Sequence, residues 1–169
     1  GKPRLLKQLI LSKDARACRF AVRVLSRAGF MEILPLVLRE LPDREGAVRA
    51  EMIEALRYIP DRRTIPVLLP LAKSADEATR FRALQVLADL QPRLKALPVS
   101  FFLRLVQDSS ARVRRVSLEA LQLYPTRRVA PLILESALDR EQPEETRIRS
   151  IRALAAFPSA RWVRPLTEL

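Results

Sequence analysis

Residues 113 to 131, V-R-R-V-S-L-E-A-L-Q-L-Y-P-T-R-R-V-A-P, repeat a stretch that lies sixty-five positions earlier, V-R-A-E-M-I-E-A-L-R-Y-I-P-D-R-R-T-I-P from Val48 to Pro66. The two share Val-Arg, Glu-Ala-Leu, Pro, Arg-Arg and a final Pro at identical spacing. Weaker copies begin at Thr79 (T-R-F-R-A-L-Q-V-L-A-D-L) and at Thr146 (T-R-I-R-S-I-R-A-L-A-A-F-P). Self-similarity at a fixed period marks a repeat array, in which each unit is one supersecondary element stacked on the next.

What the unit contains follows from composition and periodicity. Glycine is scarce (3 residues) and aromatics make up 5%, against a background of Leu, Ala, Val, Arg and Glu. That mixture favours helices over strands and tight hairpins. The spacing predicts a short helix over 4–11, then a helix opened by Asp14 and stopped by Gly29. Thereafter first-type (A) helices are expected at 30–41 (with Pro35 inside), 64–73, 98–107 and 129–138. Second-type (B) helices are expected at 47–59, 76–90, 110–124 and 143–157. Residues 161–169 open one more A helix, which suggests a piece of a longer array or an end capped in another way. One repeat domain is expected over 1–169, with units near 4–29, 30–60, 61–92, 93–125, 126–158 and a partial 159–169. Residues 91–98 read as the loosest connection.

Each B helix carries apolar residues at i, i+3, i+4 and i+7, one helical face that needs a partner. In the third unit these are Ala83, Leu84, Leu87 and Leu90; in the fourth, Ser117, Leu118, Leu121 and Tyr124. A single helix pair cannot bury such a face, so stability must come from unit-to-unit contacts.

An A helix with an early proline (Pro35, Pro66, Pro98, Pro131), an acidic turn, then Val-Arg and Ala-Leu on the B helix resembles HEAT repeats, over nearly the whole chain. Prolines 35, 66, 98, 131 and 165 step by 31, 32, 33 and 34 residues, a short period similar to the compact bacterial type also found in phycobilisome lyase-related proteins. The tetratricopeptide repeat has a similar period, but its tryptophan and glycine-tyrosine signature is absent here. The resemblance implies an all-α, right-handed α-solenoid of about five two-helix repeats. It also implies a ladder of turn aspartates and B-helix arginines along the stack. Asp43 with Arg49 and Asp108 with Arg114 fit it at a spacing of six; Asp76 with Arg80 and Asp139 with Arg147 fit loosely; the first unit has Cys18 in place of the arginine. These arginines are read as structural.

Chemistry is sparsely provided for. The chain has no histidine, which removes the usual general base and the commonest metal ligand. It has no Gly-rich phosphate loop, no G-x-S-x-G and no paired-carboxylate motif. A single cysteine, Cys18, excludes an internal disulfide and reads as a buried, inert thiol on an apolar face. Glu144 and Glu145 adjoin a helix start, where acidic residues favour the dipole. Trp162 reads as a packing residue. No catalytic, cofactor or metal site is expected. The longest apolar runs are broken by charge, so no transmembrane span is expected and a soluble, cytoplasmic chain is.

Charge is the more informative feature. The net charge is +12, carried mainly by arginine, whose planar fork suits carboxylate and phosphate. Turns of one kind carry Asp14, Asp43, Glu45, Asp76, Glu77, Asp108, Asp139, Glu141, Glu144 and Glu145. Turns of the other kind carry Arg62, Arg63, Arg93, Lys95, Arg127, Arg128 and Arg161. In HEAT arrays the B helices line the concave side, and by that resemblance Arg16, Arg19, Arg23, Arg57, Gln85, Arg112, Arg115 and Arg152 face it, interrupted by Glu54 and Glu119. Cations near helix C-termini also satisfy terminal carbonyls, which accounts for part of the basic row.

Three functional readings follow. The first is a non-enzymatic scaffold that grips a protein partner with acidic patches. The second is a sequence-independent nucleic-acid binder, for which the cations are present but an aromatic stacking platform is not. The DNA-glycosylase members of the bacterial HEAT-like group supply no aromatic-plus-aspartate cluster that maps onto this sequence. The third is an accessory domain of a larger enzyme or membrane protein.

Overall fold

Prolines and caps, more than apolar runs, decide where the helices begin and end. The computed structural model describes residues 2–157. It divides by backbone packing into two compact units, 1–96 and 97–169. All regular structure among the described residues is helical.

The first unit contains α1 (Lys2–Ile10), α2 (Ala15–Arg27), α3 (Leu34–Glu40), α4 (Gly46–Ala55), α5 (Thr64–Leu71) and α6 (Glu77–Leu94). Asp14 caps α2 by accepting from the N–H groups of Arg16 and Ala17, and Asp76 caps α6 by accepting from Thr79. Such bonds satisfy donors that a helix start leaves without partners. Gly29 follows α2 at φ +74, a left-handed conformation that costs glycine nothing. The B helices of this unit lie side by side, α2 along α4 and α4 along α6, while α1 packs on α2 and α5 on α6.

The expected A helix over 30–41 is broken into a 3₁₀ turn at 31–33, α3, and a second 3₁₀ turn at 41–43. Pro35 stands in the first turn of α3 rather than inside a longer helix; there its missing N–H costs no intrahelical bond. The B helix expected over 47–59 likewise tightens into a 3₁₀ turn at 56–58 after α4. In the other direction, α6 runs through Pro92 to Leu94, so residues 91–94 are helix and the connection shrinks to 95–98. Lys95 ends it in the left-handed region at φ 47. Ala83, Leu84, Leu87 and Leu90, the predicted apolar face of α6, are buried.

The second unit contains α7 (Val99–Leu105), α8 (Ala111–Leu121), α9 (Thr126–Leu138) and α10 (Glu144–Leu154). Here α7 packs on α8 and α9 on α10, and α7 also meets α9. The buried face of α8 is Val113, Val116, Ser117, Ala120 and Leu121. Leu118 and Tyr124 are half-buried instead, because the core-facing series starts at Val113 and the helix ends before Tyr124. The Tyr124 hydroxyl donates to the Leu97 carbonyl at 2.7 Å, and its ring tilts against Phe102. The α9 helix starts at Thr126, three residues before the expected Val129, with Pro131 inside it. Arg127 and Arg128 therefore belong to its first turn and not to the connection before it.

Candidate interaction surface

The fourth residue of every B helix has the same task. It is Cys18 in α2, Arg49 in α4, Arg80 in α6, Arg114 in α8 and Arg147 in α10. Each reaches back across the preceding turn to main-chain carbonyls. Cys18 Sγ donates to Ile10 O at 3.2 Å. Arg49 donates to the carbonyls of Arg44 and Pro42. Arg80 donates to Ser74 O at 2.7 Å and Ala75 O at 3.3 Å. Arg114 donates to Asp108 O and Ser109 O, both at 2.8 Å, and Arg147 to Ala137 O at 3.4 Å. The end of a helix and the turn after it leave carbonyls without intrahelical partners, and the N–H groups of a guanidinium supply donors for them.

The turn carboxylates also accept main-chain N–H groups of their own turns. Asp108 Oδ1 accepts from the N–H of Ser110 at 2.8 Å, and Asp139 Oδ1 from Glu141 at 3.0 Å. Asp43 is the last residue of the 3₁₀ turn before α4. Cys18 is the short member of the series, and Arg44 of the next repeat covers for it. Arg44 Nη1 donates to Ser12 O at 3.1 Å and Nη2 to Ile10 O at 3.3 Å, while Glu40 holds the same guanidinium at 2.9 Å. Burial pushes the Cys18 thiol pKa up, with Arg44 opposing; a buried thiol of this kind is a small apolar residue with a weak donor.

Several candidate contact arginines of the first unit are committed inside it. Arg23 grips Glu51 with both arms of its fork, Nε to Oε1 at 3.0 Å and Nη2 to Oε2 at 2.6 Å. Arg19 approaches the same carboxylate at 3.9 Å, an electrostatic contact only. Arg57 lies 3.0 Å from Asp89 and 3.3 Å from Glu54. Arg27 stacks over the Tyr58 ring, 5.6 Å from its centroid. These pairs tie α2 to α4 and its 3₁₀ extension, and that extension to α6. The hydrogen bond from Arg23 holds the Glu51 carboxyl below its ordinary value, against the opposing effect of burial.

On the other edge of this unit, Arg62 Nη2 donates to Leu94 O at 3.0 Å. That contact brings Arg62 to the end of α6 that carries Arg93 and Lys95, all three exposed. Arg63 turns back onto Asp61 with bonds of 3.0 and 2.8 Å, which lowers the Asp61 pKa. Arg16 is exposed on α2.

In the second unit Arg112 and Arg115 are exposed on α8, with Arg115 at 3.8 Å from Glu119. Arg127 and Arg128 are exposed in the first turn of α9, and Arg152 in the last turn of α10. Arg161 and Trp162 lie outside the described residues. The carbonyl-clamping role of the fourth B-helix residue was half legible: the Val-Arg repeat marked the position, but not its acceptors. Arg44 gave no repeating signal at all.

Among the described residues, a groove opens between successive B helices in each unit. One, about 510 Å³, opens between the starts of α4 and α6 and carries Glu45 and Arg49 from the first and Asp76 and Arg82 from the second, over small residues. The other, about 220 Å³, opens between α8 and α10 and carries Arg114, Arg149 and Arg152 with Glu145 over an apolar floor. No group of three or more metal-ligating side chains occurs among the described residues. No helix among them is long and apolar enough to cross a membrane.

The profile of the family described as HEAT repeats matches residues 3–88 and 34–122. No curated protein matches the chain. Helix pairs in the expected order, a carbonyl clamp at the fourth position of each B helix and a profile match across most of the sequence lead to one assignment: the chain belongs to the HEAT repeat family.

Proposed function

We propose that this chain is a non-enzymatic scaffold that binds an acidic protein partner through its arginine-bearing surfaces. HEAT repeats generally mediate protein–protein interaction, and the charge of this chain narrows the partner's chemistry. The observation that supports this reading is the position of Arg127 and Arg128. Both are exposed in the first turn of α9. A helix N-terminus carries partial positive charge, so two cations there oppose the dipole by roughly 0.3–1 kcal/mol each. Capping therefore does not account for them, whereas it does account for Arg62 and for the clamp arginines. Carboxylates brought by a partner would relieve that repulsion.

The test is fluorescence anisotropy with a labelled glutamate-rich peptide and a labelled DNA duplex. Peptide binding at low salt, weakened several-fold by the double variant Arg127→Glu, Arg128→Glu, supports the scaffold reading. A duplex affinity that drops roughly a thousandfold between about 50 and 200 mM salt, as expected for about six neutralised phosphates, with no peptide binding, overturns it in favour of nucleic acid.

A further inference from the structure

The α8–α10 groove differs from its counterpart in the first unit in both charge and floor. Between α4 and α6 the lining holds two acids and two bases, with glycine, alanine and threonine between them. Between α8 and α10 three arginines stand with one glutamate, and Val106, Leu118 and Ile148 supply apolar surface. The two helices themselves approach closely at few points, unlike α2 with α4, which leaves the groove open. Glu145, Ile148, Arg149 and Arg152 fall at i, i+3, i+4 and i+7 of one helix, so they share a face.

Their states differ in a useful way. Arg149 is the anchored one: its Nη1 donates to Gln107 O at 3.2 Å, its Nη2 is paired with Glu145, and its side chain is 22% exposed. Arg114 is held by its two turn carbonyls. Arg152 is exposed, and Ile148 is 39% exposed in the middle of these cations. Glu145 is 74% exposed, and its carboxylate, paired with Arg149, marks where an incoming one would sit.

We propose that this groove is the docking site for an acidic peptide segment carrying one bulky apolar side chain. The apolar side chain lies on Ile148 and Leu118. Flanking carboxylates take the Arg149 position vacated by Glu145 and pair with Arg152. The proposal rests on the scaffold reading above and names the site and the partner's chemistry. Charge complementarity selects the acidic flanks, and the exposed isoleucine between guanidinium groups selects the apolar centre. A uniformly acidic partner would leave that isoleucine wet.

The test uses two labelled peptides rich in Asp and Glu, one with a central Leu-Phe and one with Ser-Ser there, titrated by fluorescence anisotropy. The expected result is binding of the Leu-Phe peptide about tenfold tighter than the Ser-Ser peptide, a step of roughly 1.4 kcal/mol. Ile148→Ser should abolish that preference, Arg152→Glu should weaken both peptides several-fold, and Glu145→Gln should tighten the Leu-Phe peptide several-fold. All three substituted side chains are exposed, and far-ultraviolet circular dichroism checks that each variant keeps its helices. Equal binding of both peptides, insensitive to Arg152→Glu but weakened by Arg127→Glu with Arg128→Glu, overturns the groove and leaves the scaffold reading standing. No binding of either peptide at low salt overturns both.

Discussion

At the scale of single residues, the fourth position of each B helix works through geometry rather than net charge. Arg114 bridges two adjacent turn carbonyls at 2.8 Å each through Nη1 alone, a nitrogen whose direction is fixed by the rigid guanidinium plane and which a flexible lysine ammonium places less well. Arg114→Lys is therefore expected to lower stability by about 1–2 kcal/mol, the scale of one or two hydrogen bonds from a charged donor, measured by urea denaturation; an unchanged midpoint would remove the clamp from the stability account. Glu51 adds a pH dependence with a definite sign. Arg23 holds its carboxyl below the ordinary value of 4.5, so the folded state binds that proton less readily than the unfolded chain. The stabilisation is complete above that ordinary value and is lost as pH falls below it, through the folded-state value. Melting temperature should drop across that acid range, and Glu51→Gln should flatten part of the drop; an identical profile in the variant would show that the Arg23 pair contributes nothing. The sequence marked these arginines by repetition, but hydrogen-bond acceptors on the main chain have no sequence signature, and the substitution of Arg44 for the missing clamp at Cys18 depends on two repeats meeting in space.

At the scale of elements, existence and order of the helices were legible and their ends were not. Periodicity of apolar residues reports a face, and that face stays the same when a helix gains or loses a turn. Ends depend on which proline positions the surrounding backbone tolerates. Pro35 opens α3, whereas Pro92 and Pro131 lie within α6 and α9, and residue type alone does not separate these cases. The α6 end carries a specific cost, because Lys95 adopts φ 47, a region that penalises any residue with a Cβ. Lys95→Gly is expected to stabilise the chain by about 0.5–1 kcal/mol, the left-handed penalty less the extra chain entropy of glycine, read as a higher urea midpoint. A lower midpoint would mean that the lysine side chain holds the cap.

For the whole molecule, each unit is held by helices packed on neighbouring helices. Leu87 is fully buried in α6, the helix that meets both α5 and α4. Burying a leucine contributes roughly 1.5–3 kcal/mol, and a carboxylate in its place would also have to be desolvated without a partner. Leu87→Asp is expected to abolish the cooperative melt and most of the helical signal; full helicity with an intact transition would show that helix-to-helix packing is not what holds the fold. The repeat, the helix pairing and the HEAT repeat family were determined by sequence alone, because a recurring apolar face that no single pair can bury has few ways to be satisfied. Tertiary structure alone decided which arginines are spent on internal carbonyls and carboxylates and which stay exposed to solvent. Nothing in composition separates Arg23, locked onto Glu51, from Arg152, open beside Ile148. The difference is the identity of the residue that a neighbouring helix places within reach, and a guanidinium pairs with whatever lies there.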